Sequence, residues 1–112
     1  MPTHAELASK LLTDAADFFV TLGEQNEPLK DQMEENATVF QQMGALLTQE
    51  PQGALNGTSH GELAGKLLID AATFFTTLAE QNEPIKDQML ENANVYKQIG
   101  DLVLKDPMGI LD

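Results

Sequence analysis

The chain has no cysteine, no tryptophan and no arginine among its 112 residues. Without cysteine it can form no disulfide, no thiolate nucleophile and no cysteine-ligated zinc or iron–sulfur site. Six lysines face 18 acidic residues, for a net charge of −12, so no basic face is available to neutralise phosphates. We therefore expect neither nucleic acid nor an anionic membrane surface as a partner. A basic partner, bound cations or a simple contribution to solubility would each explain the charge.

Long apolar runs are also lacking. No stretch of about 18 uncharged apolar residues could cross a bilayer. The segment Met1-Pro2-Thr3-His4 has neither the basic nor the apolar region of a secretory signal. We expect no membrane span and a cytoplasmic location. An apolar content of 42% in 112 residues suits one domain with a continuous core.

An internal repeat determines the architecture. Residues 3–55 align with residues 59–111 at a constant offset of 56 without a gap, and 33 of the 53 aligned positions are identical. The shared segments include Lys-Leu-Leu-x-Asp-Ala-Ala-x-Phe-Phe and Glu-Gln-Asn-Glu-Pro-x-Lys-Asp-Gln-Met. A match of this density indicates the tandem duplication of one structural unit.

Each copy begins with a helix start signal. Thr3 with Glu6, and Ser59 with Glu62, match the capping box, in which hydroxyl and carboxylate satisfy free backbone N–H groups of the first turn. The pattern predicts amphipathic helices over about residues 4–22 and 60–78. At 100° per residue the apolar arc of the first helix, about 140° wide, contains Leu7, Ala8, Leu11, Leu12, Ala15, Phe18, Phe19 and Leu22.

The segment Glu24-Gln25-Asn26-Glu27-Pro28 then interrupts the helical period. It predicts a short turn, with Asn26 or Glu27 as N-cap and Pro28 in the first turn of the next helix. That second helix should end near Glu50, before Pro51 and Gly53. Its apolar face is Leu29, Met33, Phe40, Met43 and Leu47, repeated in the second copy as Ile85, Met89, Tyr96, Ile99 and Val103.

The linker between the copies, about residues 51–58, spans at most about 27 Å, whereas a helix of some 22 residues is about 33 Å long. A crossover along the full helix is therefore disfavoured. We predict an all-α, antiparallel up-down-up-down four-helix bundle that forms a single domain over residues 1–112, with both turns at the same end. The alternative is an extended pair of hairpins that meets its partner in a dimer. In architecture alone, the plan resembles the two-hairpin bundles of plasmid copy-number regulators, whose RNA-binding role does not fit the charge.

Asn36 and Asn92 interrupt the apolar stripes of their helices. If the first turn centres near Gln25 and Asn26, Asp14 lies at the height of Asn36, and Asp70 lies at the height of Asn92. These four residues predict one polar layer, whose simplest role is a hydrogen bond that fixes register. The alternative is an oxygen-ligand site for a hard ion such as Ca²⁺ or Mg²⁺, for which they are weak candidates. We otherwise predict no metal site and no cofactor.

Other polar residues give weaker signals. His4 and His60 lie in first turns on the core side and are interpreted as capping or packing residues. We find no nucleophile with a base, no glycine-rich phosphate loop and no carboxylate pair in a supporting context, so we predict no enzymatic activity. A negative patch at the turns is a further candidate, although acids near helix N-termini need no function. It consists of Glu24, Glu27, Asp31, Glu80, Glu83 and Asp87.

Three differences between the copies suggest a contact surface. Thr13, Glu34 and Thr48 of the first copy correspond to Ile69, Leu90 and Leu104 of the second, all outside the core stripe by helical angle. We predict that Ile69, Leu90 and Leu104 form a docking patch for a protein partner or a second copy of the chain. The chain would then be a scaffold, adaptor or self-associating module, and a small cation- or cofactor-binding bundle is the alternative.

Overall fold

The computed structural model describes residues 3–110, and its helical content confirms the all-α prediction. Four long helices form two hairpins, and the two hairpins pack together. The helices are α1 (His4–Gln25), α2 (Lys30–Gln49), α3 (His60–Gln81) and α4 (Lys86–Lys105), with short 3₁₀ turns at Glu27–Leu29 and Glu83–Ile85 and two-residue strands β1 (Ala54–Leu55) and β2 (Thr58–Ser59). No helix within the described residues is both long and apolar enough to cross a membrane.

The predicted helix starts are confirmed. The backbone N–H of Glu6 donates to the Thr3 hydroxyl at 3.1 Å, and the Thr3 N–H donates back to the Glu6 carboxylate at 2.8 Å. In the second copy the N–H of Glu62 donates to Ser59 Oγ at 3.0 Å, and the Ser59 hydroxyl donates to the Glu62 carboxylate at 3.1 Å. The Thr3 and Ser59 hydroxyls thus satisfy N–H groups that have no partner within the helix. The full capping box forms in the first copy, whereas in the second the Glu62 carboxylate accepts from the Ser59 hydroxyl.

The turn inside each hairpin differs from the prediction. Helix α1 continues through Gln25 rather than ending near Leu22, and the Asn26 side chain donates to the carbonyl of Leu22 at 3.0 Å. Asn26 therefore closes the end of α1 and makes no side-chain cap on the 3₁₀ turn that follows. Leu29, expected in the core, lies in that turn and is 42% exposed. Its counterpart Ile85 is likewise exposed.

The remaining apolar stripes are confirmed as the core. Met33, Phe40, Met43 and Leu47 of α2 are buried, as are their counterparts in α4. On α1 the inner positions Ala8, Leu12, Ala15 and Phe19 are buried, and Leu7, Leu11, Phe18 and Leu22 pack beside them with part of their surface exposed.

Aromatic rings join the two hairpins. The Phe18 and Phe75 ring centroids are 5.4 Å apart, and the Phe19 and Phe74 centroids are 5.5 Å apart, both with edge-to-face geometry. Such pairs add about 0.5–1.5 kcal/mol to the burial of the rings. Because α1 and α3 pack on each other within one chain, the alternative of an extended pair of hairpins is wrong.

The two ends of the repeat are joined in the same way. Strands β1 and β2 pair Ala54 with Ser59 around an Asn56-Gly57 turn whose two φ angles are positive, a geometry typical of tight hairpin turns. Thr3 corresponds to Ser59 and Ile110 corresponds to Ala54 at the offset of 56, and Thr3 and Ile110 likewise form an antiparallel bridge. The start of α3 therefore meets the end of α2, and the start of α1 meets the segment after α4. An up-down-up-down bundle requires each of these helix starts to lie beside the end of the helix that it meets here.

Candidate functional site

The four residues of the predicted polar layer line two separate cavities. Asp14 and Asp70 are exposed, whereas Asn36 and Asn92 are half-buried. Asp14 lines a cavity with Asn92, and Asp70 lines another with Asn36, so each aspartate approaches the asparagine of the other hairpin. Height along the bundle does not specify which neighbouring helix a side chain faces. The pairing of Asp14 with Asn36 and of Asp70 with Asn92 is therefore wrong.

The two cavities are related by the internal repeat. Cavity A has a volume of about 190 Å³ and is lined by Phe19, Asn36, Phe40, Leu67, Asp70, Ala71 and Phe74. Cavity B has a volume of about 250 Å³ and is lined by Leu11, Asp14, Phe18, Phe75, Asn92, Val95 and Tyr96. All but one residue of each set correspond at the offset of 56. Each cavity therefore combines three aromatic rings with one carboxylate and one amide.

Two contacts distinguish cavity B from cavity A. The hydroxyl of Tyr96 donates to the backbone carbonyl of Leu11 at 2.9 Å. Burial, with a further contribution from the charge of Asp14, raises the pKa of Tyr96 well above its usual range, so it stays a neutral donor. Lys10 Nζ lies 3.6 Å from the Asp14 carboxylate. In cavity A, Phe40 replaces the tyrosine, and Asp70 has no ion-pair partner within residues 3–110.

Ile69 and Leu104 meet in one groove, but Leu90 does not join them. The groove has a volume of about 390 Å³ and is lined by Thr58, Glu62, Leu63, Lys66, Ile69, Asp70 and Leu104. Leu90 is 36% exposed and lies 14 residues before Leu104 on α4, or about 21 Å along the helix axis. The three residues therefore do not form one patch, and only Ile69 and Leu104 line a common groove, together with Leu63.

Ile69 and Leu104 lie outside the core stripe, as their helical angles predicted, but both take part in the packing of α3 on α4. A Cβ atom added at Gly65 would lie 2.7 Å from the carbonyl oxygen of Gly100 and 3.0 Å from Leu104 Cβ. Ile69 Cγ1 lies 3.1 Å from the corresponding position at Gly100. The backbones of α3 and α4 thus approach closely at two glycines, and Ile69 and Leu104 flank this crossing. Each residue packs with one side and leaves the other side in the groove.

The first hairpin builds the same crossing from polar residues. The Ser9 hydroxyl donates to the Gly44 carbonyl at 2.8 Å, and Thr48 Oγ1 donates to that carbonyl at 2.9 Å. The hydroxyls of Ser9 and Thr48 also contact each other, while Thr13 Oγ1 donates to the Ser9 carbonyl at 3.1 Å. Ser9, Thr13 and Thr48 correspond to Gly65, Ile69 and Leu104. The copies therefore differ as a set at one place, with hydrogen bonds in one copy and apolar packing in the other.

The six acidic residues of the turns are all exposed. Within the described part of the chain the one ion pair is Lys10 with Asp14, so none of these turn carboxylates has a basic neighbour at ion-pair distance. Residues 3–110 contain no group of three or more histidine, aspartate or glutamate side chains placed to hold a metal ion. The turns carry dispersed negative charge rather than a convergent ligand set.

The histidines have a structural role that their positions only partly suggested. His60 is buried and its Nδ1 donates to the carbonyl of Glu50 at 2.7 Å. His4 is buried in the same way, with Nδ1 donating to the carbonyl of Asp106 at 2.8 Å. Each ring satisfies a carbonyl at the C-terminal end of a helix, which confirms the capping interpretation. The acceptors lie 10 and 102 residues away along the chain, so spacing alone gave no signal for them.

A comparison of the chain with known protein families, with curated proteins and with solved structures finds no match. The geometry of the chain itself must therefore support any function. Its three candidate features are the two aromatic cavities, the groove beside Ile69 and Leu104, and the acidic turns.

Proposed function

We propose that the protein is a non-enzymatic interaction module, which docks a protein partner in the groove beside Ile69 and Leu104. One observation carries this proposal: the groove of the second hairpin presents Ile69 and Leu104 beside Leu63, whereas the groove at the corresponding position of the first hairpin is lined by the hydrogen-bonded Ser9, Thr13 and Thr48. The hydroxyls of Ser9, Thr13 and Thr48 already form hydrogen bonds within the chain. The apolar version leaves Leu104 41% exposed, with a surface that contact with a partner would remove from water.

The charge around the groove indicates the chemistry of the partner. Glu62 and Asp70 line it beside a single lysine, Lys66, and the whole chain carries a net charge of −12. A complementary segment presents one or two apolar side chains to Ile69 and Leu104 with basic residues on their flanks. An amphipathic helix with this pattern can fill an apolar groove. The opposite charges would accelerate the encounter and make it depend on ionic strength.

A matched pair of substitutions tests the groove. Leu104→Glu places a carboxylate in the groove, whereas Leu90→Glu makes the same change at an exposed leucine on the same helix outside it. Proteins captured from the source cell by the full chain are identified, purified and titrated against each variant. We expect the partner to bind the Leu90→Glu chain as it binds the original chain, and to lose at least about tenfold in affinity for the Leu104→Glu chain, a loss of about 1.4 kcal/mol.

Three results would contradict the proposal. Equal binding by both variants would place the contact elsewhere on the chain. Binding that does not weaken with added salt would contradict the basic character of the partner. A concentration-dependent dimer of the chain alone, abolished by Leu104→Glu in sedimentation, would identify a second copy as the occupant. Ile69→Thr, which restores the residue of the first copy, provides a second variant should Leu104→Glu lower the melting temperature.

A further inference from the structure

We propose that cavity A is a binding site for a small organic cation, an alkylammonium group held between aromatic rings and the carboxylate of Asp70. The proposal is independent of the groove, because cavity A lies between the two hairpins and is lined by residues of α1, α2 and α3. Asp70 borders both features, but no other residue does.

The aromatic lining gives the first argument. The ring centroid of Phe19 lies 5.0 Å from that of Phe40 at an interplanar angle of 86°, and 5.5 Å from that of Phe74 at 71°. Phe19 thus meets each of the other two rings edge-to-face, and all three rings line a single cavity. The face of an aromatic ring carries negative charge density and attracts a cation, most strongly when the cation is partly removed from water.

The polar residues of the cavity select the charge of the ligand. The Asp70 carboxylate is exposed and has no ion-pair partner within residues 3–110, and the half-buried Asn36 side chain offers an amide oxygen. No basic side chain lines the cavity, so it has nothing to attract an anion. One carboxylate and one amide are few protein ligands for Ca²⁺, which takes six to eight oxygens, and the aromatic rings offer none. A cation with an apolar surface fits both the carboxylate and the rings.

The volume sets the size of the ligand. A cavity of about 190 Å³ corresponds to about six water molecules at roughly 30 Å³ each. This space suits a compact ammonium head, such as a trimethylammonium group.

Cavity B provides an internal control. It has the corresponding rings, carboxylate and amide, but Lys10 lies 3.6 Å from the Asp14 carboxylate and already neutralises part of its charge. The Tyr96 hydroxyl is engaged with the Leu11 carbonyl. A cation should therefore prefer cavity A, and removal of Lys10 should improve cavity B.

Choline is the probe, and its neutral isostere 3,3-dimethylbutan-1-ol is the matched ligand without charge. Titration of the full chain is followed by NMR, through the side-chain amide resonances of Asn36 and Asn92 and the aromatic resonances. We expect saturable shifts at Asn36 with choline and weaker binding of the isostere. Asp70→Asn should weaken choline binding about tenfold, the usual size of a lost charged contact. Asp14→Asn should leave the shifts at Asn36 unchanged, and Lys10→Ala should add saturable shifts at Asn92.

Each other outcome would overturn the proposal. Shifts that grow linearly and spread over the acidic turns would show diffuse charge attraction only. Equal effects of Asp70→Asn and Asp14→Asn would remove the preference for cavity A. Equal binding of choline and its isostere would show an apolar cavity without cation recognition. Asp70 and Asp14 are both exposed, and circular dichroism of each variant verifies that the fold is intact.

Discussion

The hydroxyl of Tyr96 on α4 donates a 2.9 Å hydrogen bond to the backbone carbonyl of Leu11 on α1, 85 residues earlier in the chain. The position that corresponds to Tyr96 in the first hairpin is Phe40, and the carbonyl that corresponds to that of Leu11 belongs to Leu67. The same ring position therefore carries a bond between hairpins on one side of the molecule and apolar contact alone on the other.

This asymmetry predicts the effect of exchanging the two rings. Tyr96→Phe should lower the free energy of unfolding by about 1 kcal/mol, the usual net contribution of one hydrogen bond, because Phe40 shows that the fold accommodates the ring without its hydroxyl. Phe40→Tyr should recover part of this loss by donating to Leu67. Urea unfolding of the two single variants and the double variant measures both effects. A loss of more than about 3 kcal/mol for Tyr96→Phe would indicate that the ring, and not only its hydroxyl, has moved.

The same tyrosine predicts a pH dependence. Burial, and to a lesser degree the charge of Asp14, raises the pKa of Tyr96 in the folded chain above the unfolded value of 10.0. The neutral form is thus favoured by folding, so this contribution to stability is fully present below pH 10 and is lost as the pH rises further. Melting temperatures between pH 9 and pH 12 should fall more steeply for the original chain than for Tyr96→Phe. Parallel curves would show that Tyr96 does not take part in alkaline unfolding.

The close approach of α3 and α4 predicts unequal effects of alanine in the two hairpins. In Gly65→Ala the new Cβ would meet the Gly100 carbonyl oxygen at 2.7 Å, so the helices must separate, at a cost of about 1–3 kcal/mol. Ser9→Ala at the corresponding position keeps the helix spacing and loses only the hydrogen bond from the Ser9 hydroxyl to the Gly44 carbonyl, about 1 kcal/mol. Thermal unfolding compares the two. Equal losses would contradict a spacing set by the glycine pair.

The contacts between hairpins predict that one copy is incomplete alone. Residues 1–56 contain Phe18 and Phe19 but neither Phe74 nor Phe75, which cover these rings in the full chain. The isolated hairpin should form a dimer, in which a second Phe18 and Phe19 take those positions, or it should be largely unfolded. Sedimentation and circular dichroism distinguish these states. A stable, well-folded monomer would contradict a core shared between the copies.

The sequence was sufficient to predict the helices because capping residues and helical periodicity act within a few residues. It was insufficient for contacts that depend on which helix faces which. Asp14 was predicted to lie beside Asn36, yet it lines a cavity with Asn92, because height along a helix does not determine the direction in which a side chain points. Ile69 and Leu104 were recognised as unusual, but their packing against Gly100 and Gly65 depends on the helix crossing. The capping of distant carbonyls by His4 and His60 had no local signal.

The antiparallel bridge between Thr3 and Ile110 limits how many copies of the hairpin one such molecule can contain. In an open solenoid each added repeat stacks on a free end, so repeat number can grow. Here the start of the first copy already pairs with the segment that follows α4. This pairing of Thr3 with Ile110 has the same register as the pairing of Ser59 with Ala54 between the copies. A third hairpin would have to displace that pairing before it could join. Each hairpin therefore pairs with the other at both of its ends, and neither hairpin has the free end that a terminal repeat of a solenoid has.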